Sequence, residues 1–131
     1  MPGLTGVSHV ELTVRDAERS AAWYQEILGL ETLIEPARPD WGPRIVTTVL
    51  HPATGLVIGL VQHEPSEGNA FSEARVGLDH FALSVGSRSE LEAWVEHFDG
   101  HGVDHSGIND QGYGSVWCFA IPTTFNSNCS S

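Results

Sequence analysis

The sequence has little positive charge and no long apolar run. Six Lys and Arg against 17 Asp and Glu give a formal net charge of −11, which disfavours binding to nucleic-acid phosphates and to anionic membranes. No stretch approaches the roughly 18 to 20 apolar residues that a membrane helix requires, and the N-terminus lacks the basic segment and apolar core of a signal peptide. We therefore expect a cytoplasmic protein that binds neither nucleic acid nor membrane.

Cysteine is also scarce. Cys118 and Cys129 are too few for a disulfide framework, and the chain has no CxxC motif. We interpret both as free thiols. The length of 131 residues and the hydrophobic fraction of 40% are typical of a single globular domain with a real core, spanning residues 1–131.

An internal repeat is the most informative feature of the chain. The segment VSHVELTV, which starts at Val7, aligns with LDHFALSV, which starts at Leu78, at a constant offset of 71 residues. The same frame aligns His9 with His80, Leu12 with Leu83, Val14 with Val85, Trp23 with Trp94, Gly29 with Gly100, and Thr13 with Ser84. Five identities in one ungapped frame indicate a structural duplication.

Each copy of the repeat predicts a strand followed by a helix. In the first part of each copy, apolar and polar side chains alternate with a period of two, which is typical of a strand. In the second part, apolar residues recur at helical spacing, preceded by a capping residue and followed by a glycine. The first copy predicts a strand over Val7–Val14, an N-cap at Asp16, a helix over Ala17–Leu28 and a stop at Gly29. The second predicts a strand over Leu78–Val85, a cap at Ser87 or Ser89, a helix over Glu90–Phe98 and a stop at Gly100.

Further strands complete the two modules. Alternation between turn signals predicts strands over Glu31–Glu35, Arg44–Leu50, Leu56–His63, Val103–Ile108 and Ser115–Ala120. We expect a βαβββ module one at residues 4–64, a linker at 65–76, a module two at 77–120 and an aberrant tail at 121–131. The fold class is α+β.

These motifs resemble the vicinal oxygen chelate superfamily of glyoxalases, bleomycin-resistance proteins and extradiol dioxygenases. The resemblance rests on a first strand opening with His9, a helix ending in LGL, and the segment DHFALSV, and it covers about residues 4–120. It implies paired βαβββ modules whose mixed sheet forms a cup around a divalent metal. It also implies a small-molecule substrate and, since family members commonly dimerise, a homodimer.

The resemblance assigns His9 and His80 as metal ligands. A lone histidine on a strand is more often structural, but two histidines at repeat-equivalent positions favour ligation. Neutral imidazoles suit Fe, Mn, Ni or Zn, and open coordination positions could hold and polarise two vicinal oxygens of a substrate. Glu11 or Tyr113 are candidates for proton transfer, and Thr13, Val61, His63 and Ser84 are candidates for the pocket lining. The other histidines, at positions 51, 97, 101 and 105, are expected to be solvated turn or helix-end residues.

The fourth strand departs from the glyoxalase I pattern. Gly59 occupies the position at which those enzymes carry a glutamate ligand, and glycine offers no side-chain donor. The two-His-one-carboxylate arrangement of extradiol dioxygenases remains, because its ligands lie on the other strands. His63 is expected on the same face of this strand as Gly59 and is an alternative ligand candidate, although it lies at the end of the strand.

The tail departs further from the family. The last strand should supply a glutamate, yet FAIPTTFNSNCSS has neither alternation nor an acidic residue. In a reading frame displaced by two nucleotides, residues 121–131 permit DPDNIQLELLV, which contains the missing turn and a strand with a glutamate. We hypothesise a frameshift near residues 116–120; a naturally divergent polar tail is the alternative.

Three functions are compatible with this sequence. The first is a divalent-metal-dependent enzyme, similar to extradiol dioxygenases or to lyases and isomerases, that acts on a small oxygenated organic molecule. The second is a metal-free drug-binding protein of the bleomycin-resistance type. The third is a member inactivated by the frameshift.

Overall fold

The computed structural model divides into two compact units, Met1–Asn69 and Ala70–Ser131. It describes residues 1–66, 72, 74–112 and 114–119. Each unit combines an α-helix with β-strands, which confirms the α+β class. Within the described ranges, no helix is long and apolar enough to cross a membrane.

The first unit has the predicted βαβββ order. Its elements are β1 (Val10–Val14), α1 (Ala17–Leu28), β2 (Glu31–Ala37), β3 (Ile45–His51) and β4 (Leu56–Gln62), with a 3₁₀ turn at Glu64–Ser66. The strands lie in the order β1-β4-β3-β2. Strand β1 runs parallel to β4, while the other neighbours are antiparallel, so the sheet is mixed. The first strand of the unit is therefore held by the last one.

Helix α1 has the bounds that the sequence predicts. The Asp16 carboxylate accepts a hydrogen bond from the backbone N–H of Arg19 at 2.9 Å, which satisfies one of the free donors at the helix start. Gly29 ends the helix in the left-handed conformation with φ 69°, and its N–H donates to the carbonyl of Gln25 at 3.1 Å. Both ends are thus fixed by local chemistry.

One face of this sheet packs on α1 and forms the core. Leu12 and Val14 of β1 alternate with exposed neighbours, and they are buried with Ile58 and Leu60 of β4. The Gln62 side chain marks the helix side, since its Oε1 accepts from the backbone N–H of Ala17 at 3.0 Å. The buried helix residues are Ala17, Ser20, Ala21, Tyr24, Ile27 and Leu28, and burial raises the pKa of the Tyr24 phenol.

The second unit contains one helix and a hairpin. Its elements are α2 (Arg88–Gly100), β5 (His105–Gln111) and β6 (Gly114–Phe119), and the two strands pair antiparallel. The Ser87 hydroxyl caps α2 by accepting from the backbone N–H of Glu90 at 3.2 Å. Phe98 is fully buried, with ring centroids 4.4 Å from Trp117 and 4.7 Å from Phe119. An aromatic cluster therefore joins the helix to the hairpin.

Exposed polar contacts also join α2 to this hairpin. Arg88 Nη1 donates to the Asp110 carboxylate at 2.6 Å and to the Ser115 hydroxyl at 3.0 Å. The pKa of the Asp110 carboxyl lies below its usual range. The hydrogen bond that Ser115 donates to this carboxylate is the larger cause, and the hydrogen bond and positive charge of Arg88 are the smaller one.

The predicted strand over Leu78–Val85 is wrong. These residues form no strand, and all eight are exposed. Alternation specifies two faces but supplies no hydrogen-bonding neighbour, and a strand requires one. In the first unit that neighbour is β4. The counterpart of β4 in module two would fall in residues 121–131, the aberrant tail, which lies outside the described residues.

Both ends of α2 and of β5 in module two also need correction, since α2 begins at Arg88 rather than Glu90 and β5 ends at Gln111 rather than Ile108. Helix α2 continues through Gly100, where the sequence predicts a stop, and the left-handed residue is Gly102 with φ 65°. Since an α-helix can contain a glycine, the residue itself does not decide the end. Strand β5 begins at His105, two residues later than the predicted Val103.

Candidate metal centre

His9 lies one residue before β1, on the side of the strand that faces away from the core. It is exposed, as are Glu11 and Thr13, whereas Leu12 and Val14 between and after them are buried. The period of two thus aligns the side chains of His9, Glu11 and Thr13 along the face opposite α1. His9 Nδ1 is 3.1 Å from the Ser8 hydroxyl.

His80 repeats this arrangement in the second unit. Its Nδ1 lies 2.6 Å from Oδ1 of Asp79. An ionised carboxylate only accepts hydrogen bonds, so Nδ1 carries the proton and the Nε2 lone pair of the neutral ring is free. A carboxylate in this position is the common outer-shell partner of a metal-binding histidine. His80 itself lies in the exposed 78–85 segment rather than on the strand that the sequence predicts.

The sequence analysis assigned no role to the residues that precede the two histidines. Ser8 and Asp79 are related by the same offset of 71 residues as His9 and His80. Each presents its side chain to the Nδ1 atom of the histidine that follows it. The signal that could have found them is the polar residue immediately before each histidine.

Gly59 lies at the centre of β4, directly opposite Glu11 of β1 and Thr48 of β3. A Cβ atom at position 59 would stand only 2.8 Å from Cγ, 3.2 Å from Oε1 and 3.4 Å from the carboxyl carbon of Glu11. The Glu11 side chain therefore lies across Gly59. The resemblance implies that Gly59 stands where glyoxalase I enzymes carry a glutamate, and in the structure the Glu11 side chain occupies the space beside this glycine.

The predicted pocket residues have different environments. Val61 is 6% exposed and pairs with Thr13 across β1 and β4, so these two share the face that carries Glu11. His63 follows the end of β4 and is exposed. Ser84 is exposed in the 78–85 segment. Tyr113 lies outside the described residues.

His105 differs from the expectation of a solvated turn residue. Its side chain is only 12% exposed, and Nε2 lies 3.1 Å from the Asp99 carboxylate. Its Nδ1 accepts from the backbone N–H of Gly107 at 3.1 Å. With both ring nitrogens engaged, His105 stabilises the α2–β5 junction and has no nitrogen left for a metal.

Each unit carries candidate metal donors of its own. Among residues 1–66, 72, 74–112 and 114–119, no group of three or more His, Cys, Asp or Glu side chains is already assembled around a common point. The first unit supplies the His9 imidazole just before β1 and the Glu11 carboxylate on β1. The second supplies a histidine that has its Nδ1 atom bonded to a carboxylate.

Comparisons with known proteins agree on the family. The model of the Glyoxalase/Bleomycin resistance protein/Dioxygenase superfamily matches residues 6–126. The solved glyoxylase/bleomycin resistance protein/dioxygenase domain from Frankia sp. EAN1pec is 33% identical with a TM-score of 0.80, and the match covers 93% of this chain and 95% of that chain. No curated protein matches the chain.

Two fosfomycin resistance proteins share the fold at lower identity. A mutant of FosX from Listeria monocytogenes, complexed with Mn(II) and 1S,2S-dihydroxypropylphosphonic acid, is 21% identical with a TM-score of 0.65, covering 91% of this chain and 86% of that chain. FosX from Mesorhizobium loti is 16% identical with a TM-score of 0.62, covering 93% and 90%. The family-model match over residues 6–126 and the 33% identity to the Frankia domain show that the chain belongs to the glyoxalase/bleomycin resistance protein/dioxygenase superfamily.

Proposed function

We propose that this protein is a divalent-metal-dependent enzyme that acts on a small oxygenated organic molecule, with His9 and His80 as metal ligands. One observation carries the proposal: the two histidines are repeat equivalents, and each has its Nδ1 atom engaged by the side chain of the preceding residue. Such a contact orients the ring, and where Nδ1 donates, as it does to the Asp79 carboxylate, the Nε2 lone pair is left for a metal.

The donor set fits a divalent transition metal. Imidazole nitrogen and carboxylate oxygen together suit Mn, Fe, Ni or Zn, and the structural relative from Listeria monocytogenes is complexed with Mn(II). A bound ion would supply Lewis-acid polarisation of substrate oxygens. That relative also holds a molecule with two vicinal hydroxyls, which supports an oxygenated substrate class here.

Residues of the first sheet would bind the substrate. The face opposite α1 carries Thr13, Thr48 and Val61 around Gly59, with the half-buried Val46, Leu50 and Val57 beside them. The apolar side chains would exclude water from a small ligand, and the hydroxyls would orient its oxygens. His63 and Ser84 stay candidates for the rim of the pocket. Glu11 and Tyr113 stay the candidates for moving a proton.

A metal-free binding protein is the second candidate. No Asp or Glu follows Asp110 in the sequence, so the last strand of module two cannot contribute the carboxylate that the resemblance implies. The apolar part of the open face would then bind a bulky ligand without chemistry. Homodimeric assembly and a cytoplasmic location stay predictions under either function.

Metal analysis tests the proposal. Purified protein loaded with Mn(II), Fe(II), Ni(II) or Zn(II) and then desalted should retain about one equivalent, because imidazole nitrogen is a favourable ligand for divalent transition metals. The double variant H9A/H80A should lose it. The matched control H51A/H101A removes one other histidine from each unit and should retain the metal.

Retention of metal by H9A/H80A would contradict the ligand assignment. A wild-type protein that binds none of the four metals but binds bleomycin in a titration would support the metal-free function instead.

A further inference from the structure

The Glu11 side chain lies against the neighbouring strand of the first sheet. A Cβ atom at position 59 would stand only 2.8 Å from Cγ and 3.2 Å from Oε1 of Glu11. Real Cβ atoms essentially never approach another atom this closely, so a side chain at position 59 would force Glu11 to move. Gly59 therefore makes room for the Glu11 carboxylate on the face of the sheet opposite α1.

Gly59 has no conformational reason to be glycine. Its φ is not positive, and it pairs regularly with Glu11 on one side and Thr48 on the other. Glycine in the interior of a strand weakens the strand and commonly marks a close approach of another group. The group that approaches here is the Glu11 side chain.

The side chains around Glu11 on this face are uncharged. In the paired residues of β1, β3 and β4, Glu11 is the one side chain on the face that is charged at neutral pH. Glu31 of β2, which pairs with Leu50, adds a second carboxylate at the edge. The other side chains of the face are apolar or carry a hydroxyl, and they are Thr13, Val46, Thr48, Leu50, Val57 and Val61. The centre of the face is therefore negative.

Basic groups lie further along the strands. Arg15 follows β1 and Arg44 precedes β3, and each is four residues from the row that contains Glu11 and Thr48. Four residues of a strand span about 13 Å, which exceeds the screening length of about 8 Å at physiological ionic strength. Glu11 therefore sets the charge that a ligand meets at the centre of the face.

We propose that Glu11 determines the substrate class of this face: an uncharged or cationic molecule that donates a hydrogen bond from a hydroxyl or an amine to the carboxylate. An ionised carboxylate accepts hydrogen bonds but cannot donate them, and a like charge beside it costs binding energy, so anions are rejected. Gly59 positions Glu11 by leaving the surface of β4 open. This inference rests on the proposed function, because it takes this face as the surface that binds the substrate.

Three catechols of different charge test the assignment. 4-Methylcatechol is neutral, 3,4-dihydroxybenzoate is an anion and 3,4-dihydroxybenzylamine is a cation, while all three carry the same pair of vicinal hydroxyls. Titration into ¹⁵N-labelled protein with EDTA present, followed by NMR, measures each Kd without metal or turnover. We expect the anion to bind at least about tenfold more weakly than the neutral catechol, near the lower end of the Coulomb repulsion between like charges about 4 Å apart at a protein surface. The cation should bind at least as tightly as the neutral catechol.

Two variants separate the position of the Glu11 carboxylate from the net charge of the chain. E11Q keeps the shape of the side chain and should bind the anion and the neutral catechol with similar Kd values. G59A leaves every charge in place but displaces the Glu11 side chain, so the same difference should shrink. E26Q, which removes an exposed carboxylate from α1 on the other side of the sheet, is the matched control and should retain the ranking of the wild type.

Several outcomes would overturn the assignment. They are equal Kd values for the three catechols in the wild type, a ranking that E11Q leaves unchanged, amide shift changes outside the first sheet, and no binding of any catechol. Metal retention by the wild type and by H9A/H80A is measured separately, so the metal-dependent function stands or falls on its own result. Circular dichroism of each variant shows whether a changed Kd reflects loss of the fold.

Discussion

Strand β1 and the 78–85 segment carry the same alternating pattern, and only one of them is a strand. Leu12 and Val14 are 5% and 1% exposed, whereas their repeat equivalents Leu83 and Val85 are 48% and 40% exposed. The difference lies in the partner: β1 is hydrogen-bonded to β4 over five residue pairs. The described residues of the second unit include a helix and a hairpin whose two strands pair with each other. An alternating pattern becomes a strand only where a neighbour exists.

The largest effect should come from truncating the equivalent leucines. L12A removes a buried side chain of β1 and should lower the free energy of unfolding by about 2–5 kcal/mol. L83A removes a half-exposed one and should change it by less than about 0.5 kcal/mol. Urea unfolding followed by circular dichroism measures both. Equal losses would mean that the 78–85 segment is packed in solution, and the contrast between the two copies would disappear.

Replacing the tail should make the 78–85 segment a strand, as β1 is. We expect replacement of residues 121–131 by the displaced-frame sequence DPDNIQLELLV to give the 78–85 segment its missing neighbour. Amide hydrogen exchange in this segment should slow by about 100-fold, because unpaired amides open at almost no cost and paired ones at several kcal/mol. A shuffled tail of the same composition is the control. Unchanged exchange would show that the tail is not the partner and would weaken the frameshift hypothesis.

Removing the helix caps should give the smallest difference in unfolding free energy between the two copies of the repeat. Asp16 and Ser87 are repeat equivalents, and each accepts a hydrogen bond from the backbone N–H three residues later. D16A and S87A should each cost about 1 kcal/mol, measured by thermal or urea unfolding. Comparable losses would show that local signals act equally in both units. A cap effect confined to Asp16 would mean that the second unit contributes little to cooperative unfolding.

In the candidate site too, some features follow from the sequence pattern and others depend on the folded structure. His9 and His80 follow from the repeat, and the sequence also places Glu11 and Thr13 on the face of His9 by alternation alone. The contacts of Ser8 and Asp79 with the histidine rings depend on side-chain conformation, which a linear pattern does not specify. His105 shows the limit most clearly, because its two hydrogen-bonding partners come from α2 and from β5 itself.

The sequence alone determined the bounds of α1, the caps of both helices, the order of elements in the first unit and the family, because these features depend on short-range chemistry. Capping, apolar spacing and turn residues act over a few positions, so a linear pattern contains them. Tertiary structure decided which copy of the repeat became a strand and which side chain covers Gly59. These outcomes depend on residues about fifty positions apart, such as Glu11 and Gly59, which meet only through the parallel pairing of β1 with β4.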